Sequence, residues 1–208
     1  MLKHKIQILL HICMLIFRLI FFIMSIISCQ GLSAQILGYE ANSSGEKERV
    51  FIFYYNGKDS EYREVIRENR HEMKELEDLL SSAELENNTV KQIRITCYSS
   101  IEGTWNDNKE LVEKRLINFT EYLSARTGIE EDKFVTRTVP EDWDGLVQFI
   151  DTDAYMPMAG QVNEIILTTD VMKGRERKLM ELNGGNPYRY MKANYFYQLE
   201  RVECTVIR

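Results

Sequence analysis

Four runs of strand-like residues alternate with stretches of helical periodicity, and this order constrains the fold more than any other feature of the chain. Such an order indicates a layered architecture. We therefore predict an α/β (α+β) two-layer sandwich, with a mixed sheet of about four strands and parallel pairing within its β-α-β units. The predicted strands are RVFIFYY (49–55), KQIRITCYS (91–99), DKFVTRTV (132–139) and RVECTVI (201–207), and the predicted helices, both on one face, are 60–82 and 106–127.

A group of short helical segments precedes the last strand, so the predicted order is β-α-β-α-β, a helical segment, then β. Pro187 suits the first turn of one of these helices. Gly184 and Gly185 follow a helical pattern, where glycine is typical of a C-cap. The segments are EDWDGLVQFI, GQVNEIILTT, GRERKLMEL and NPYRYMKANYFYQL.

The N-terminus has the layout of an export signal. Lys3 and Lys5 precede an apolar run over 6–28, and small residues follow it. Ordinary cleavage after Ala34 would remove residues 1–34. Alternatively Ile-Ile-Ser-Cys at 26–29 is a lipobox, which would remove residues 1–28 and lipidate Cys29.

Two further alternatives remain open for this segment. Translation from Met14 would make Arg18 the basic residue of a shorter signal. An uncleaved anchor is the other alternative, because the run of 23 residues from Ile6 to Ser28 is long enough to span a bilayer. Arg18 near its middle argues against an anchor. All these interpretations predict export, and we expect a polar linker over 35–48.

The charge balance narrows the possible partners. Removing residues 1–34 takes three of the 26 basic residues and no acidic ones, which leaves 23 against 32 and a net charge of −9. Such a charge disfavours nucleic acid as a partner. About 174 residues remain, enough for one domain with a substantial core.

Few residues of the exported part suit catalysis or metal binding. His71 is its single histidine, which argues against a histidine-based triad or a multi-histidine metal site. Cys97 and Cys204 continue apolar alternations and should face the core, either as free thiols or as a disulfide. We therefore expect no enzyme activity, no metal and no cofactor.

Arg115 is a charged residue on the apolar stripe of a predicted helix. Helical periodicity places it on the apolar stripe of Leu111, Phe119 and Tyr122. A charge on a core-facing stripe is costly unless it is paired. We expect an anionic group to meet the guanidinium.

A predicted strand and a polar loop are followed by Gly103, Asn108, Leu111 and Arg115. This spacing of Gly, Asn, Leu and Arg resembles the pattern of the OmpA-like domain family, which holds outer-membrane proteins and lipoproteins to peptidoglycan. The first and last predicted strands are similar to the family's opening and closing strands. The resemblance covers both ends of a domain over 49–208, and the segment from about 141 to 198 resembles a helical insertion found in one branch.

The resemblance implies a peptidoglycan site, in which the arginine receives the carboxylate of the diamino acid and an aspartate takes its ammonium group. Ser100 stands at the position of that aspartate, and Glu102 is an acid in the same loop. The implied ligand-binding set is Ser99, Ser100, Glu102, Asn108, Leu111 and Arg115.

Two non-enzymatic functions follow from the resemblance. The first is non-covalent association with peptidoglycan. The second is a protein-interaction module with a degenerate site, in which Arg115 pairs with Glu102 and the helical insertion is a docking surface. Both place the chain on the periplasmic side of the envelope, associated with the outer membrane. Peptidoglycan and other envelope or outer-membrane proteins are the implied partners.

Overall fold

The computed structural model describes residues 39–41, 47–85 and 90–208. The predicted signal segment, Cys29 and both proposed cleavage sites lie outside these residues. The described chain divides into an N-terminal unit ending at Arg49 and a C-terminal unit, Val50–Arg208. In the described ranges, no helix combines the length and the apolar character needed to cross a membrane.

The N-terminal unit contributes a short antiparallel pairing. Strand β1 (Tyr39–Ala41) pairs with the first residues of β2 (Lys47–Tyr54), and Tyr39 lies opposite Arg49. The prediction of a linker over 35–48 missed β1 and the start of β2. Three residues are too few for their alternation to be distinguished in a sequence.

The sheet is mixed and confirms the predicted fold class. Its strand order is β1-β2-β5-β3-β4, where β3 is Gln92–Tyr98, β4 is Phe134–Val139 and β5 is Arg201–Ile207. β3 pairs parallel with β4 and antiparallel with β5. The last strand of the sequence thus separates β2 from β3, so the first β-α-β unit does not form the adjacent pair that we expected.

Two long helices cover one face of the sheet, as predicted. They are α1 (Asn69–Leu85) and α2 (Trp105–Thr127). Alternate residues of the strands, including Ile95 and Cys204, pack with Leu76 and Phe119 of the helices in one buried cluster. Because the apolar residues alternate along each strand, they all point to this face, and the helices cover it.

Helix α1 begins nine residues later than the predicted start at Ser60. Residues 61–68 form turns, and Arg67 has a positive φ of 46°. Asn69 is fully buried and bonds to strand β2: its Oδ1 accepts from the Tyr54 N–H at 2.7 Å, and its Nδ2 donates to the Tyr54 carbonyl at 2.8 Å. These long-range bonds, invisible to local periodicity, set the start of the helix.

The predicted group of short helices forms a second buried cluster. Ile101, Leu146, Val162 and Leu179 are among its fully buried members. Tyr195 interrupts the predicted long last helix. The helices are α3 (Trp143–Thr152), α4 (Ala159–Thr168), α5 (Arg175–Glu181), α6 (Asn186–Asn194) and α7 (Phe196–Leu199). We call this region, residues 141–199, the helical segment.

Candidate functional site

Helix α2 carries Arg115 into the interior. Thr104 caps the helix by accepting a hydrogen bond from the Asp107 N–H at 3.1 Å, and Gly128 ends it with a φ of 71°. From this start, residues 108, 112, 115, 119 and 123 share the buried face. Arg115 is 0% exposed and is the largest fully buried side chain in the described residues.

The guanidinium of Arg115 is held on three sides. Nε donates to the Asp59 carbonyl at 2.9 Å, and Nη2 donates to the Gly57 carbonyl. Both carbonyls belong to the turn after β2, where Gly57 has the positive φ of 52° that this turn needs. The third side is occupied by a carboxylate, and the Tyr55 ring lies 4.7 Å from the guanidinium carbon.

The carboxylate that meets Arg115 belongs to Glu200. Arg115 Nη1 donates to Glu200 Oε2, and the Ser100 N–H donates to Glu200 Oε1 at 3.3 Å. The Glu200 carbonyl accepts from the Tyr55 N–H at 2.9 Å. Glu200 joins helix α7 to strand β5, so its backbone and side chain are both fixed. The charge of Arg115 is therefore neutralised inside the protein.

The expected pairing of Arg115 with Glu102 is wrong. Glu102 forms an exposed ion pair with Lys192 of helix α6 instead. Its N–H donates to Ser100 Oγ at 3.4 Å, and a bond of this kind turns the loop locally. Sequence reasoning missed Glu200 because it lies 85 residues from Arg115. Only the central position of β5 brings the two together.

Two serines and an asparagine of the implied set lie buried beside this ion pair. Ser99 is fully buried and its Oγ has no hydrogen-bond partner, whereas its N–H and carbonyl bond to Val139 and Asp142. Ser100 is 4% exposed. Asn108 Nδ2 donates to the Ser100 carbonyl at 3.3 Å, which ties α2 to the loop.

Leu111 lies apart from Arg115, in an open groove of about 300 Å³. Asn108 also lines this groove, with Lys58 and Lys114 as its cations and Asp107 and Glu110 as its acids. Lys114 pairs with Glu110 at 2.6 Å. Of the implied set, the structure brings Ser100 and Asn108 close to the Arg115–Glu200 pair, while Glu102 points away and Leu111 is half-buried along the groove.

A larger cavity of about 490 Å³ lies between the loop before α2 and the helical segment. Glu141 and Glu176 line it beside Trp143. Glu141 accepts from Trp143 Nε1 at 2.8 Å, and Glu176 accepts from the Tyr188 hydroxyl at 2.5 Å. Burial raises the pKa of both carboxyl groups. The negative charge of Glu176 raises the pKa of Glu141 further, and the negative charge of Glu102 does the same for Glu176.

The two core cysteines are free thiols. Both are fully buried, and they lie on the same face of the sheet because Ile95 is opposite Cys204 and Cys97 is opposite Val202. Burial raises the pKa of each thiol to about 12, which makes both unreactive at neutral pH. No group of three or more His, Cys, Asp or Glu residues in the described ranges could hold a metal ion.

Comparisons with known proteins give structural likeness alone. No family model matches the chain, and no curated protein matches it. Solved structures that are similar include the OmpA-like domain of FopA1 from Francisella tularensis subsp. tularensis, at 11% identity and a TM-score of 0.42 over 81% of this chain and 77% of the other. The peptidoglycan-associated lipoprotein from Burkholderia pseudomallei is similar at 12% identity and 0.40, over 76% and 90%.

The cell wall anchor of the T6SS from Pseudomonas aeruginosa is similar at 15% identity and a TM-score of 0.40, over 86% of this chain and 92% of the other. The first of the three is an OmpA-like domain, the family that the sequence resembles. Identities and TM-scores at this level carry no conclusion about a shared function. The function has to be argued from the geometry around Arg115.

Proposed function

We propose that this chain is an exported, non-enzymatic protein of the cell envelope, built on an OmpA-like domain that acts as a protein-interaction module. Its peptidoglycan site is filled by its own Glu200. One observation carries this proposal: Arg115 is 0% exposed and already holds a carboxylate. A stem-peptide carboxylate would need the position that Glu200 occupies.

The energetic cost of exchanging the two carboxylates is large. Breaking a buried ion pair and leaving one charge unpaired costs about 3–5 kcal/mol. That corresponds to an affinity loss of about a hundredfold to several thousandfold. Ser100 adds no compensating charge for the ligand's ammonium group. The closed site therefore favours the interaction module over direct wall binding.

Association with peptidoglycan stem peptides is the second candidate, and the groove beside Leu111 favours it. This groove is open, contains Asn108 and Leu111 of the implied set, and has Lys58 as a cation without an ion pair in the described residues. An ammonium group can take a carboxylate as a point charge. In this candidate Lys58, rather than Arg115, recognises the ligand.

Sedimentation with purified peptidoglycan sacculi separates the two candidates. The interaction module predicts that the intact protein stays in the supernatant. Wall binding through the groove predicts that it sediments and that Lys58→Ala abolishes this, while Lys74→Ala, an exposed control on α1, has no effect. Sedimentation of the intact protein would overturn the interaction module as its function, and sedimentation that survives Lys58→Ala would also overturn the closed site at Arg115.

The variant Ser100→Asp tests whether Glu200 closes the site, because it restores the acid that the peptidoglycan-binding pattern requires. In the closed site, the new carboxylate would lie beside Glu200, so the single variant should melt at a lower temperature and stay in the supernatant. The double variant Ser100→Asp with Glu200→Ala removes that repulsion and opens the position beside Arg115. We expect only the double variant to sediment. A single variant that sediments with an unchanged melting temperature would contradict this account.

A further inference from the structure

Strand β4 forms an open end of the sheet. It pairs with β3 on one side, and no other described strand lies on its second side. Alternate backbone N–H and C=O groups of such a strand point outward and can pair with another strand. The sequence FVTRTV has no proline, and four of its six residues are β-branched. Its backbone is therefore suited to strand addition.

Two arginines give this edge a charge of its own. Arg137 of β4 and Arg94 of β3 lie on the sheet face opposite α1 and α2, because Thr136 is opposite the inward-facing Ile95. Both are exposed, and neither forms an ion pair with a described residue. Val135 lies directly opposite Arg94 in register, two residues before Arg137 on the same face, and is 45% exposed. An edge with two unpaired cations stands out in a chain of net charge −6.

We propose that the β4 edge binds an extended acidic strand of a partner protein. The partner would place an acidic residue beside Arg137 and an apolar one beside Val135. Main-chain hydrogen bonds would supply the part of the affinity that does not depend on the partner's side chains. Glu131 and Asp132 precede β4, so the acidic positions of the partner belong near Arg137 rather than near Phe134.

A second copy of this chain fits the edge less well than an acidic strand. It would bring its own Arg94 and Arg137 to the same edge, and like charges across strands destabilise pairing. This inference rests on the proposed interaction module and names the kind of partner. Its test is independent of Arg115: sedimentation on sacculi would count against the interaction module, whereas peptide binding at the β4 edge is measured separately.

A peptide titration on the full chain tests the proposal. The probe is a fluorescent nine-residue threonine peptide with valine at its centre and a glutamate two residues to either side, so that all three side chains share one face of the extended strand. The control peptide carries two lysines instead. We expect the glutamate peptide to bind about fivefold or more tightly than the lysine peptide, and to slow amide hydrogen exchange at 134–139.

Charge reversal then identifies the residue responsible. Arg137→Glu should reverse the preference between the two peptides, whereas Arg177→Glu, an exposed control in the helical segment, should leave it unchanged. Equal binding of both peptides, or binding without slower exchange at 134–139, would overturn the proposal. Concentration-dependent dimerisation that Arg137→Glu abolishes would also overturn it, in favour of a second copy as the occupant.

Discussion

The pair of Arg115 and Glu200 shows how a buried charge is accommodated. The guanidinium has three hydrogen-bond acceptors, and the carboxylate has two donors. An ion pair of this kind adds little net stability compared with apolar residues of similar size, because both charges lose their hydration. Removing one partner is different, since the other charge then remains buried without a counter-ion.

We therefore expect Arg115→Ala to destabilise the protein strongly. The loss should be about 3–5 kcal/mol, which corresponds to a fall in melting temperature of about 6–20 °C for a domain of this size. Arg126→Ala is the matched control on the same helix. Arg126 pairs with Glu77 but is 47% exposed, and exposed pairs contribute little to stability because water screens the charges. Equal shifts for both variants would refute a structural role specific to Arg115.

Sequence reasoning could predict the need for an anion at Arg115 but not its identity. Helical periodicity alone puts Arg115 on the buried stripe. The choice of partner depends on which strand ends beside the helix, and the sequence does not encode strand order locally. Glu102 was the natural expectation because it lies in the adjoining loop, but the loop directs it outward to Lys192.

The limits of some helices and strands follow from local sequence patterns, whereas the limits of others depend on contacts with distant residues. Strand β5 has the limits that alternation predicts, 201–207, since Val202, Cys204 and Val206 are buried at every second position. Helix α2 was predicted equally well, with its cap and its Gly128 both local signals. The start of α1 was wrong because Asn69 makes its bonds to Tyr54, 15 residues away.

Asn69→Ala should accordingly loosen the junction of β2 and α1. The change removes three side-chain hydrogen bonds, two to Tyr54 and one to the Arg63 carbonyl. Each buried group left unsatisfied costs about 1–3 kcal/mol. We expect a loss of at least about 2 kcal/mol by denaturant unfolding. Asn106→Ala, at an exposed position, is the control and should change stability by less than about 0.5 kcal/mol.

At the scale of the whole molecule, Asp142 connects the sheet to the helical segment. Its side chain caps α3 by accepting from the Gly145 N–H at 2.9 Å and pairs with Arg201 of β5 at 2.6 Å. Its N–H donates to the Ser99 carbonyl at 3.1 Å. The half-buried Glu141 and Glu176 lie beside this junction. We therefore expect the stability of the described chain to depend on the ionisation of these two carboxyl groups, and the sheet and the helical segment to unfold together.

The pH dependence comes from the raised pKa values of Glu141 and Glu176. A carboxyl group whose pKa is higher in the folded than in the unfolded protein favours folding when protonated. This stability is fully present below the ordinary value of 4.5 and is lost as pH rises through the raised value. Glu141→Gln and Glu176→Gln should therefore raise the melting temperature at pH 7.5 and leave it unchanged near pH 4.

Melting curves at the two pH values check this, with Glu164→Gln on the exposed side of α4 as the control. The glutamine Oε1 atom can still accept the hydrogen bonds from Trp143 and Tyr188, so the variants remove charge and little else. A lower melting temperature at pH 7.5 for either cavity variant would mean that its carboxylate is stabilising, contrary to the effect of burial.

Cooperativity between the two cores can be measured through the buried thiols. Cys97 and Cys204 lie in the core under α1 and α2, whereas Leu146 is fully buried in the helical segment. Leu146→Ala should cost about 2–5 kcal/mol. Because Asp142 ties the segment to Ser99 and Arg201, we expect the two cores to unfold together. In Leu146→Ala the unfolded fraction, and with it the labelling rate of both thiols, should therefore rise at least about thirtyfold over the unsubstituted protein.

Site-resolved mass spectrometry after alkylation in native buffer would report the labelling rates of Cys97 and Cys204 separately from the other cysteines. Leu167→Ala is the control, since Leu167 is 82% exposed on the same helical segment and its loss leaves no cavity. Fluorescence of Trp143, recorded in a Trp105→Phe background because Trp105 of α2 also emits, follows the segment under the same conditions. An early loss of the Trp143 signal in Leu146→Ala with unchanged thiol labelling would show that the segment unfolds alone. In that outcome, Glu200 would leave Arg115 whenever the segment opened, and the closed site would become conditional on the fold of the segment.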